Sequence, residues 1–289
     1  MGFRSVKEMV DAYENGASWL SFFYRSTSPT PPGSGAWADM SMGPGTPKYN
    51  AYIGAQYEAV ACVGAGNNSI YTGPTPSAGQ TKHLFGIQIR ASTAVVVPST
   101  FVLLDYLLYY PLIDCDSTDV QPLINDTASL PRYTSGEGVM AMMVATIANS
   151  ANATATLTYT NSAGVASRFT AFTAFSGSNV GALCSSPGTS NSTNSKSVFI
   201  PLMKDDYGIR SVESIRLSAS MGGFCALVLV KPIAWVQVRE AGVVSEMTSF
   251  MHRASLPRIY DGAFLQFVYN VTSAGSPSPI GGHLEFVWG

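Results

Sequence analysis

The sequence predicts a mainly β protein, built as antiparallel β-sandwich or jelly-roll-like domains with a short N-terminal helix and one or two further short helices. Short runs rich in Val, Ile, Tyr, Phe and Thr alternate with Gly, Pro and Asn from residue 49 onward, a spacing typical of antiparallel strands and turns. Charged residues make up only 12% of the 289, about half of the usual share. Ser, Thr, Asn and Gly replace them in runs such as 148–160, a composition typical of β-rich proteins with neutral surfaces.

The first element is predicted to be a helix. Ser5 and Glu8 have the spacing of a capping box, and Asn15-Gly16 supplies a stop signal. The apolar residues between these signals recur at spacings of three and four, which places them on one helix face: Val6, Met9, Val10 and Tyr13.

An aromatic strand is predicted over 19–24, followed by an extended arm or loop over 26–47. The arm contains five prolines and four glycines, which no regular element tolerates. The prediction for the rest of the chain is ten further strands, at 58–63, 83–91, 139–147, 155–160, 166–175, 197–201, 211–219, 224–231, 264–272 and 284–288.

Two hairpins and two helices complete the prediction. The first hairpin turns at 161–164, where alternation on both sides flanks four turn-forming residues, and the second turns at 221–223. The Leu-rich segment 101–110 is predicted to be helical because its leucines can share one face, and 244–253 is the second such segment.

A short internal repeat marks two corners of the chain. Ser129-Leu130-Pro131-Arg132-Tyr133 recurs as Ser255-Leu256-Pro257-Arg258 before Ile259-Tyr260, and each copy precedes a Gly and an apolar strand. Duplication and coincidence both remain open. The predicted domains are 1–48, with the helix, strand and arm, and a β-sandwich region 49–289, which could contain two β units, 49–135 with 255–289 and 136–254.

Charge and hydropathy restrict the class of partner. The net charge of −2 gives no basic footprint for a phosphate backbone, so nucleic-acid binding is not expected. The N-terminus lacks the apolar core of a signal peptide, and Asp105 interrupts the longest apolar run, 101–113. We expect synthesis in a cytoplasm and no membrane partner.

No catalytic or metal-binding pattern is found, and we expect a protein without enzyme activity, cofactor or metal. The four cysteines lie 53, 69 and 41 residues apart, which gives no zinc-ligand pair and indicates buried or loop thiols. The loop with Asp114, Asp116 and Asp119 resembles the opening of a calcium loop, but its sixth and twelfth positions do not fit. It is read either as a divalent-cation site or as an acidic loop capped by its own side chains.

Aromatic and arginine side chains are the candidate contact residues. Trp and Tyr can stack on sugars or fill a core or subunit interface, and the absence of a paired-carboxylate pattern beside them does not support glycoside hydrolysis. The predicted interaction segments are the helix and strand 6–24, the arm 26–47 and the two Arg corners. The side chains predicted to interact are Trp19, Phe22, Phe23, Tyr24, Trp37, Arg132 and Arg258.

Taken as a whole, the chain resembles structural proteins of tailed double-stranded DNA bacteriophages. The stretches that carry the resemblance are GFRSVKEMVDAYENGASWLSFFY, LLDYLLYYPLIDCDSTDVQPL followed by SLPRYTSGEG, GIRSVESIRLSASMGGFCALVLVKP, and ASLPRIYDGAFLQFVYNV to HLEFVWG. None of these stretches is a motif with a known chemical mechanism.

The resemblance implies a virion structural protein, made in the host cytoplasm and located in the phage head. Such a cement or decoration protein forms a homotrimer of β-sandwich or jelly-roll subunits, and its partners are identical subunits and the phage major capsid protein. The alternative is a tail, neck or fibre-associated structural protein that contacts host-surface carbohydrate. Outside the virion, the competing class is a carbohydrate-binding module or a β-fold hydrolase.

Overall fold

The computed structural model describes residues 3–29, 35–64, 68–92, 97–124, 129–177, 179–185, 197–248, 256–271 and 279–289. Their structure is mainly antiparallel β, which confirms the predicted fold class. The helices are α1 (Val6–Glu14) and a short 3-10 helix (Met40–Met42). The strands are β1 (Ser18–Arg25), β2 (Trp37–Asp39), β3 (Gly45–Thr46), β4 (Val60–Ala61), β5 (Lys82–Ala91), β6 (Ser99–Asp114), β7 (Gln121–Pro122), β8 (Met140–Ile147), β9 (Ala153–Asn161), β10 (Arg168–Ala174), β11 (Ile209–Leu217), β12 (Phe224–Val238), β13 (Ser245–Thr248), β14 (Phe264–Val271) and β15 (Ile280–Trp288).

The strands form three sheets. The large sheet has the order β2-β14-β6-β12-β8, with β4 paired to β6. The five-stranded sheet has the order β13-β5-β15-β1-β3, and the four-stranded sheet has the order β10-β9-β11-β7. The strands β1 and β3, from the predicted N-terminal segment, are thus part of the five-stranded sheet, and the division at residue 48 stays a prediction.

Both smaller sheets pack on the same face of the large sheet. Strand β6 has 16 residues and β12 has 15, so each strand is long enough to reach both partners. Alternation along β6 directs Leu103, Asp105 and Leu107 to one face. Leu103 lies in the core shared with the five-stranded sheet, and Leu107 lies in the core shared with the four-stranded sheet. Asp105 therefore lies at the junction of the two cores.

A third core covers the opposite face of the large sheet. Trp37 and Tyr52 pack there with Tyr106 of β6 and Val228 of β12. Burial of a large apolar side chain stabilises the fold by about 1.5–3 kcal/mol, so the segment around Trp37 is held as firmly as a core strand. In the segment predicted as an extended arm or loop, residues 37–39, 40–42 and 45–46 form β2, the 3-10 helix and β3, so the expectation of no regular element there is wrong. Residues 26–29 and 43–44 are loop, and 30–34 lie outside the described residues.

Helix α1 forms as predicted, with Ser5 as its N-cap. The Ser5 hydroxyl oxygen accepts a hydrogen bond from the Glu8 amide at 3.1 Å, and Gly16 ends the helix with a φ of +76°, a conformation that favours glycine. Of its apolar face only Met9 is buried. The helix therefore leaves most of that face exposed.

The helix predicted over 101–110 is wrong, since these residues form the central part of β6. Strand β6 is covered on both faces, so its sequence reads as a nearly continuous apolar run, which periodicity alone cannot distinguish from a buried helix. The second predicted helix, 244–253, is also wrong where it overlaps β13 (Ser245–Thr248). Residues 249–253 lie outside the described residues.

The predicted hairpin at 161–164 is confirmed: β9 and β10 pair from Tyr159 opposite Arg168 to Ala153 opposite Ala174. The second hairpin, at 221–223, is wrong. Gly222 and Gly223 do form a turn with positive φ angles, but it links β11 of the four-stranded sheet to β12 of the large sheet. Local alternation identifies strands on both sides of a turn without showing which sheet each one joins.

Most other predicted strands correspond to observed strands, with shifted ends. The strand predicted at 58–63 shortens to β4 (Val60–Ala61), and β12 (Phe224–Val238) extends seven residues beyond its predicted end at 231. No strand forms at 197–201, where the backbone is irregular.

All four cysteines are buried, which is one of the two environments that the sequence indicated, and none forms a disulfide. The structure brings three of them together from distant positions in the chain. The Cys225 sulfur lies 3.3 Å from that of Cys115 and 3.6 Å from that of Cys184. Together these thiols fill part of the core between the large and four-stranded sheets.

Candidate functional site

The outer face of β1 carries exposed apolar side chains. Leu20, Phe22 and Tyr24 alternate along the strand with buried Ser21 and Phe23. Phe22 is 68% exposed, although its ring contacts that of His283 at 5.6 Å. An exposed aromatic on a regular strand retains most of its apolar area for contact with another molecule.

Strand β1 also has an open edge. One side pairs with β15 along the whole strand, but the other side pairs with β3 only at Tyr24 and Arg25. Within the described part of the chain, Ser18 to Phe23 have no strand partner on that side. An open edge with apolar side chains is a template for pairing with another chain.

Helix α1 lies on the same outer side of the five-stranded sheet. The Tyr13 ring contacts the ring of Phe85 on β5, with 5.9 Å between centroids, while the adjacent Leu84 points into the core. We use the term apolar face for the exposed apolar side chains of α1 and of the outer face of β1. These are Val6, Val10, Tyr13, Leu20, Phe22 and Tyr24.

The outer face of the four-stranded sheet differs in chemistry. Along β9 the outward residues are Thr154, Thr156, Thr158 and Thr160, which alternate with core residues. Threonine on a strand suits a face that remains in contact with water. Its exposed aromatic, Phe169 on β10, provides a matched comparison for Phe22.

The residues predicted to interact fall into two groups. Phe23, Trp37 and Arg132 are buried inside this chain, so the described structure uses them for packing. Trp19, Phe22, Tyr24 and Arg258 lie at the surface, and Trp19 packs edge-on against Tyr71 at 5.5 Å. Whether the surface group binds a partner stays a prediction.

The two repeated corners meet at a cleft. The rings of Tyr133 and Tyr260, one from each copy, contact each other with 4.8 Å between centroids and an interplanar angle of 73°. The cleft beside them has a volume of about 620 Å³, within the usual range for small-ligand sites. Four basic and two acidic residues line it: Lys82, Arg132, Lys231, Arg258, Glu137 and Asp261.

At the base of the cleft, Arg132 forms a buried ion pair. Its Nε and Nη2 donate to the two carboxylate oxygens of Asp105 at 2.9 and 2.7 Å. The same guanidinium donates to the carbonyl oxygens of Cys62 and Tyr106 at 3.1 and 2.7 Å. Burial raises the pKa of Asp105, and the hydrogen bonds from Arg132 oppose that rise. Arg132 thus joins the two cores, and its charge is already neutralised by Asp105.

Arg258, at the matching position of the second copy, is exposed and lies over the Tyr260 ring, 4.3 Å from its centroid. Among the described residues its guanidinium makes no hydrogen bond. Stacking on an aromatic ring fixes the plane of a guanidinium while leaving its N–H groups available.

Lys231 is held over the other ring of the tyrosine pair. Its Nζ donates to the carbonyl oxygen of Glu137 at 2.7 Å and lies 5.4 Å from the centroid of the Tyr133 ring. Gly138 has a φ of +67°, a conformation that favours glycine, and a Cβ there would lie only 2.2 Å from that nitrogen, so a side chain at this position would displace the ammonium group. Burial lowers the pKa of Lys231, and the charge of Glu137 opposes the shift.

Lys82 closes the floor of the cleft. Its Nζ donates to the Pro74 carbonyl oxygen at 2.8 Å and lies 4.0 Å from Asp261 Oδ1. Burial lowers the pKa of this ammonium group. Both lysines are therefore charged groups whose loss of water is only partly compensated by the protein.

A separate buried network holds β2 against the large sheet. The Asp39 carboxylate accepts hydrogen bonds from the Tyr106 hydroxyl and the Ser41 amide, both at 2.8 Å, and from the Tyr52 hydroxyl. Burial raises the pKa of Asp39, and these hydrogen bonds oppose the rise. The network is closed to solvent, so its role is structural.

The acidic loop is capped by its own side chains. Asp114 Oδ1 accepts from the Asp116 amide at 2.9 Å, and Asp116 Oδ1 accepts from the Ser220 hydroxyl at 2.6 Å. Within the described ranges, no group of three His, Cys, Asp or Glu residues is arranged to hold a metal ion. The same residues contain no helix with the length and apolarity needed to cross a membrane.

Sequence reasoning identified the two corners but missed the cleft. The repeat was the available signal, since both copies place a tyrosine near the arginine. Lys82 and Lys231 carry no motif, and only the folded chain brings them within reach of Arg258. The open edge of β1 could not be predicted from the sequence either, because the order in which strands pair is a property of the whole sheet.

The chain matches no family model and no curated protein. Among solved structures it is similar to T=1 particles derived from infectious bursal disease virus, with 11% identity, coverage of 93% of this chain and 77% of that chain, and a TM-score of 0.18. For the VP2 subviral particle of that virus, the identity is 8%, the coverages are 93% and 79%, and the TM-score is 0.17. For the Gt strain of that virus, the identity is 10%, the coverages are 93% of this chain and 64% of that chain, and the TM-score is 0.10. Similarity at this level carries no argument about function.

Proposed function

We propose that this chain is a virion structural protein that assembles with copies of itself through the apolar face. The observation that carries the proposal is the combination, on one strand, of an open edge at Ser18 to Phe23 and outward Leu20, Phe22 and Tyr24. The unpaired edge of such a strand is a template for pairing with another chain. The resemblance to phage structural proteins includes this same segment.

A second copy of the chain is the occupant that the surface favours. With 16 basic and 18 acidic residues in 289, neighbouring copies meet little like-charge repulsion. Leu20, Phe22 and Tyr24 contribute no charge to the contact. A neutral apolar strand therefore suits repeated contact between identical subunits.

More specifically, we propose that the chain is a head cement or decoration protein that binds as a homotrimer to the phage major capsid protein. A ring of three uses heterologous contacts, so the β1 edge of one subunit would meet a different surface of the next. Attachment at many lattice positions would add small contacts into firm binding.

Replacing Phe22 by Asp tests the contact surface. A carboxylate would have to lose its water in an apolar interface, so we expect self-association to weaken at least about tenfold, a change of about 1.4 kcal/mol. Light scattering over a concentration series gives the mass of wild type and variant. Phe169→Asp, also an exposed aromatic on a strand, is the matched control and should assemble like the wild type.

Sedimentation with isolated phage heads tests the finer proposal. A trimer that sediments with heads, and a Phe22→Asp variant that no longer forms it, would support the cement function. A monomeric wild type, or equal losses in Phe22→Asp and Phe169→Asp, would contradict assembly through the apolar face. A trimer indifferent to heads would instead favour the tail, neck or fibre alternative.

A further inference from the structure

We propose that the cleft between the repeated corners binds an oxyanion, a carboxylate or phosphate group, with Arg258 and Lys231 as its principal ligand-binding residues. The inference is independent of self-assembly, because the cleft is formed within one chain. It rests on the placement of these two cations, on the charge of the lining and on the absence of a neutralising partner at Arg258 among the described residues.

The two cations are positioned before a ligand arrives. Tyr260 fixes the plane of the Arg258 guanidinium at 4.3 Å, and the Glu137 carbonyl with the Tyr133 ring fixes Lys231. The two rings contact each other, so both cations sit on one rigid aromatic pair. Preorganised donors lose little side-chain entropy when they bind.

The charge balance of the cleft favours an anion. The chain as a whole is slightly acidic, with a net charge of −2, yet basic residues outnumber acidic ones in the lining. Asp105 neutralises Arg132 from below, Asp261 lies 4.0 Å from the buried Lys82 ammonium, and Glu137 is exposed at the rim. Lys231 and Arg258 remain as cations without a salt-bridge partner among the described residues, and a concave surface strengthens their positive field.

The donor set selects the chemical class. A guanidinium presents paired N–H groups that match two oxygens of a carboxylate or phosphate, and the Lys231 ammonium adds a point charge to the same lining. Carboxylates and phosphates are thus the ligand groups that fit these donors. The cleft volume of about 620 Å³ also has room for a compact polar molecule that carries such a group. The ligand could be a free small acid or an acidic group of a neighbouring polypeptide.

Calorimetric titration of the purified chain tests the site with two probes, inorganic phosphate and an acetylated hexaglutamate peptide, in sodium chloride of matched ionic strength. We expect saturable binding of at least one probe. Loss of a charged hydrogen bond at Arg258→Gln should weaken it about tenfold, and Lys231→Met should do the same. Arg239→Gln removes an exposed arginine outside the cleft and should leave the affinity within about twofold of wild type.

Each outcome separates the possibilities. Phosphate binding that both cleft variants weaken would support a site for free small oxyanions, and binding of the peptide alone would support an acidic segment as the occupant. No saturable binding of either probe, or an equal loss in Arg239→Gln, would overturn the proposal. Because Arg258 is exposed, its substitution should preserve the fold, which the melting temperature of each variant checks.

Discussion

Replacing Arg132 by Met is expected to lower the free energy of unfolding by about 3–5 kcal/mol. The substitution leaves the Asp105 carboxylate buried without its cation, and it removes donors from the carbonyl oxygens of Cys62 and Tyr106. An uncompensated charge at the junction of two cores weakens both. Urea unfolding followed by far-UV circular dichroism measures the difference.

Arg258→Met is the matched control, since it changes the same residue type at the equivalent position of the repeat. That guanidinium is exposed and, within the described part of the chain, is held by its contact with Tyr260, an interaction of about 0.5–1 kcal/mol. The loss of stability should therefore stay below about 1 kcal/mol. Equal losses in the two variants would contradict the structural role of the Arg132–Asp105 pair.

The pH dependence of the Arg132→Met variant identifies the cause. Arg132 lowers the pKa of Asp105, which burial raises above the usual 3.8, so its removal raises that pKa further. Between 3.8 and the folded-state pKa the folded variant then binds a proton that the unfolded chain does not. Its stability increases as the pH falls through this interval, and the deficit relative to wild type shrinks.

A double variant separates charge from shape. Asp105→Asn with Arg132→Met removes the buried charge and keeps an oxygen that can accept from the Phe264 amide, as Asp105 does at 2.9 Å. We expect it to recover part of the stability lost in Arg132→Met. No recovery would mean that the loss came from packing alone.

Replacing Phe23 by Ala is expected to cost about 3–5 kcal/mol, the usual range for a buried Phe. Phe23 is 4% exposed, and its ring packs on that of Phe267 with 4.9 Å between centroids. The substitution removes a contact between the five-stranded sheet and the large sheet. Thermal and urea unfolding of the purified variant provide the measurement.

Phe22→Ala, one residue earlier, supplies the comparison. Phe22 points out of the same strand and is 68% exposed, so its removal should change the stability of a monomer by less than about 0.5 kcal/mol. A large loss at Phe22 together with a small loss at Phe23 would show that β1 has the opposite orientation. The pair of variants thus checks the register on which the apolar face depends.

The sequence was sufficient for elements whose signal is local. The cap at Ser5, the alternation around the 161–164 turn and the aromatic strand at 19–24 depend on neighbouring residues, and all three appear in the fold. The segment 101–110 could not be assigned in this way, because a strand buried on both faces has no period that separates it from a helix. The segment 26–47 was missed for a related reason. Its prolines and glycines argue against regular elements, yet Trp37–Asp39, Met40–Met42 and Gly45–Thr46 form β2, the 3-10 helix and β3.

The same distinction, between local signals and contacts that depend on the whole fold, applies to the candidate sites. Arg132 and Arg258 were found through a repeat, yet nothing in the two copies distinguishes the buried arginine from the exposed one. That difference arises from Asp105, which is far from Arg132 in sequence and becomes its partner only when the large sheet forms. Lys82 and Lys231 come from separate strands and meet at the cleft for the same reason.

The length of β6 and β12 has a consequence for dynamics. Each of these strands contributes to both cores. If one smaller sheet detached, it would expose part of a strand whose remainder is still packed against the other smaller sheet. The two sandwiches should therefore open together, in one cooperative transition, and the amides at the centre of β6 should be the slowest in the chain to exchange with solvent. Strand β1, at an open edge of the five-stranded sheet, should exchange much earlier. The molecule would then combine a rigid centre with a boundary that can adapt to a neighbouring chain.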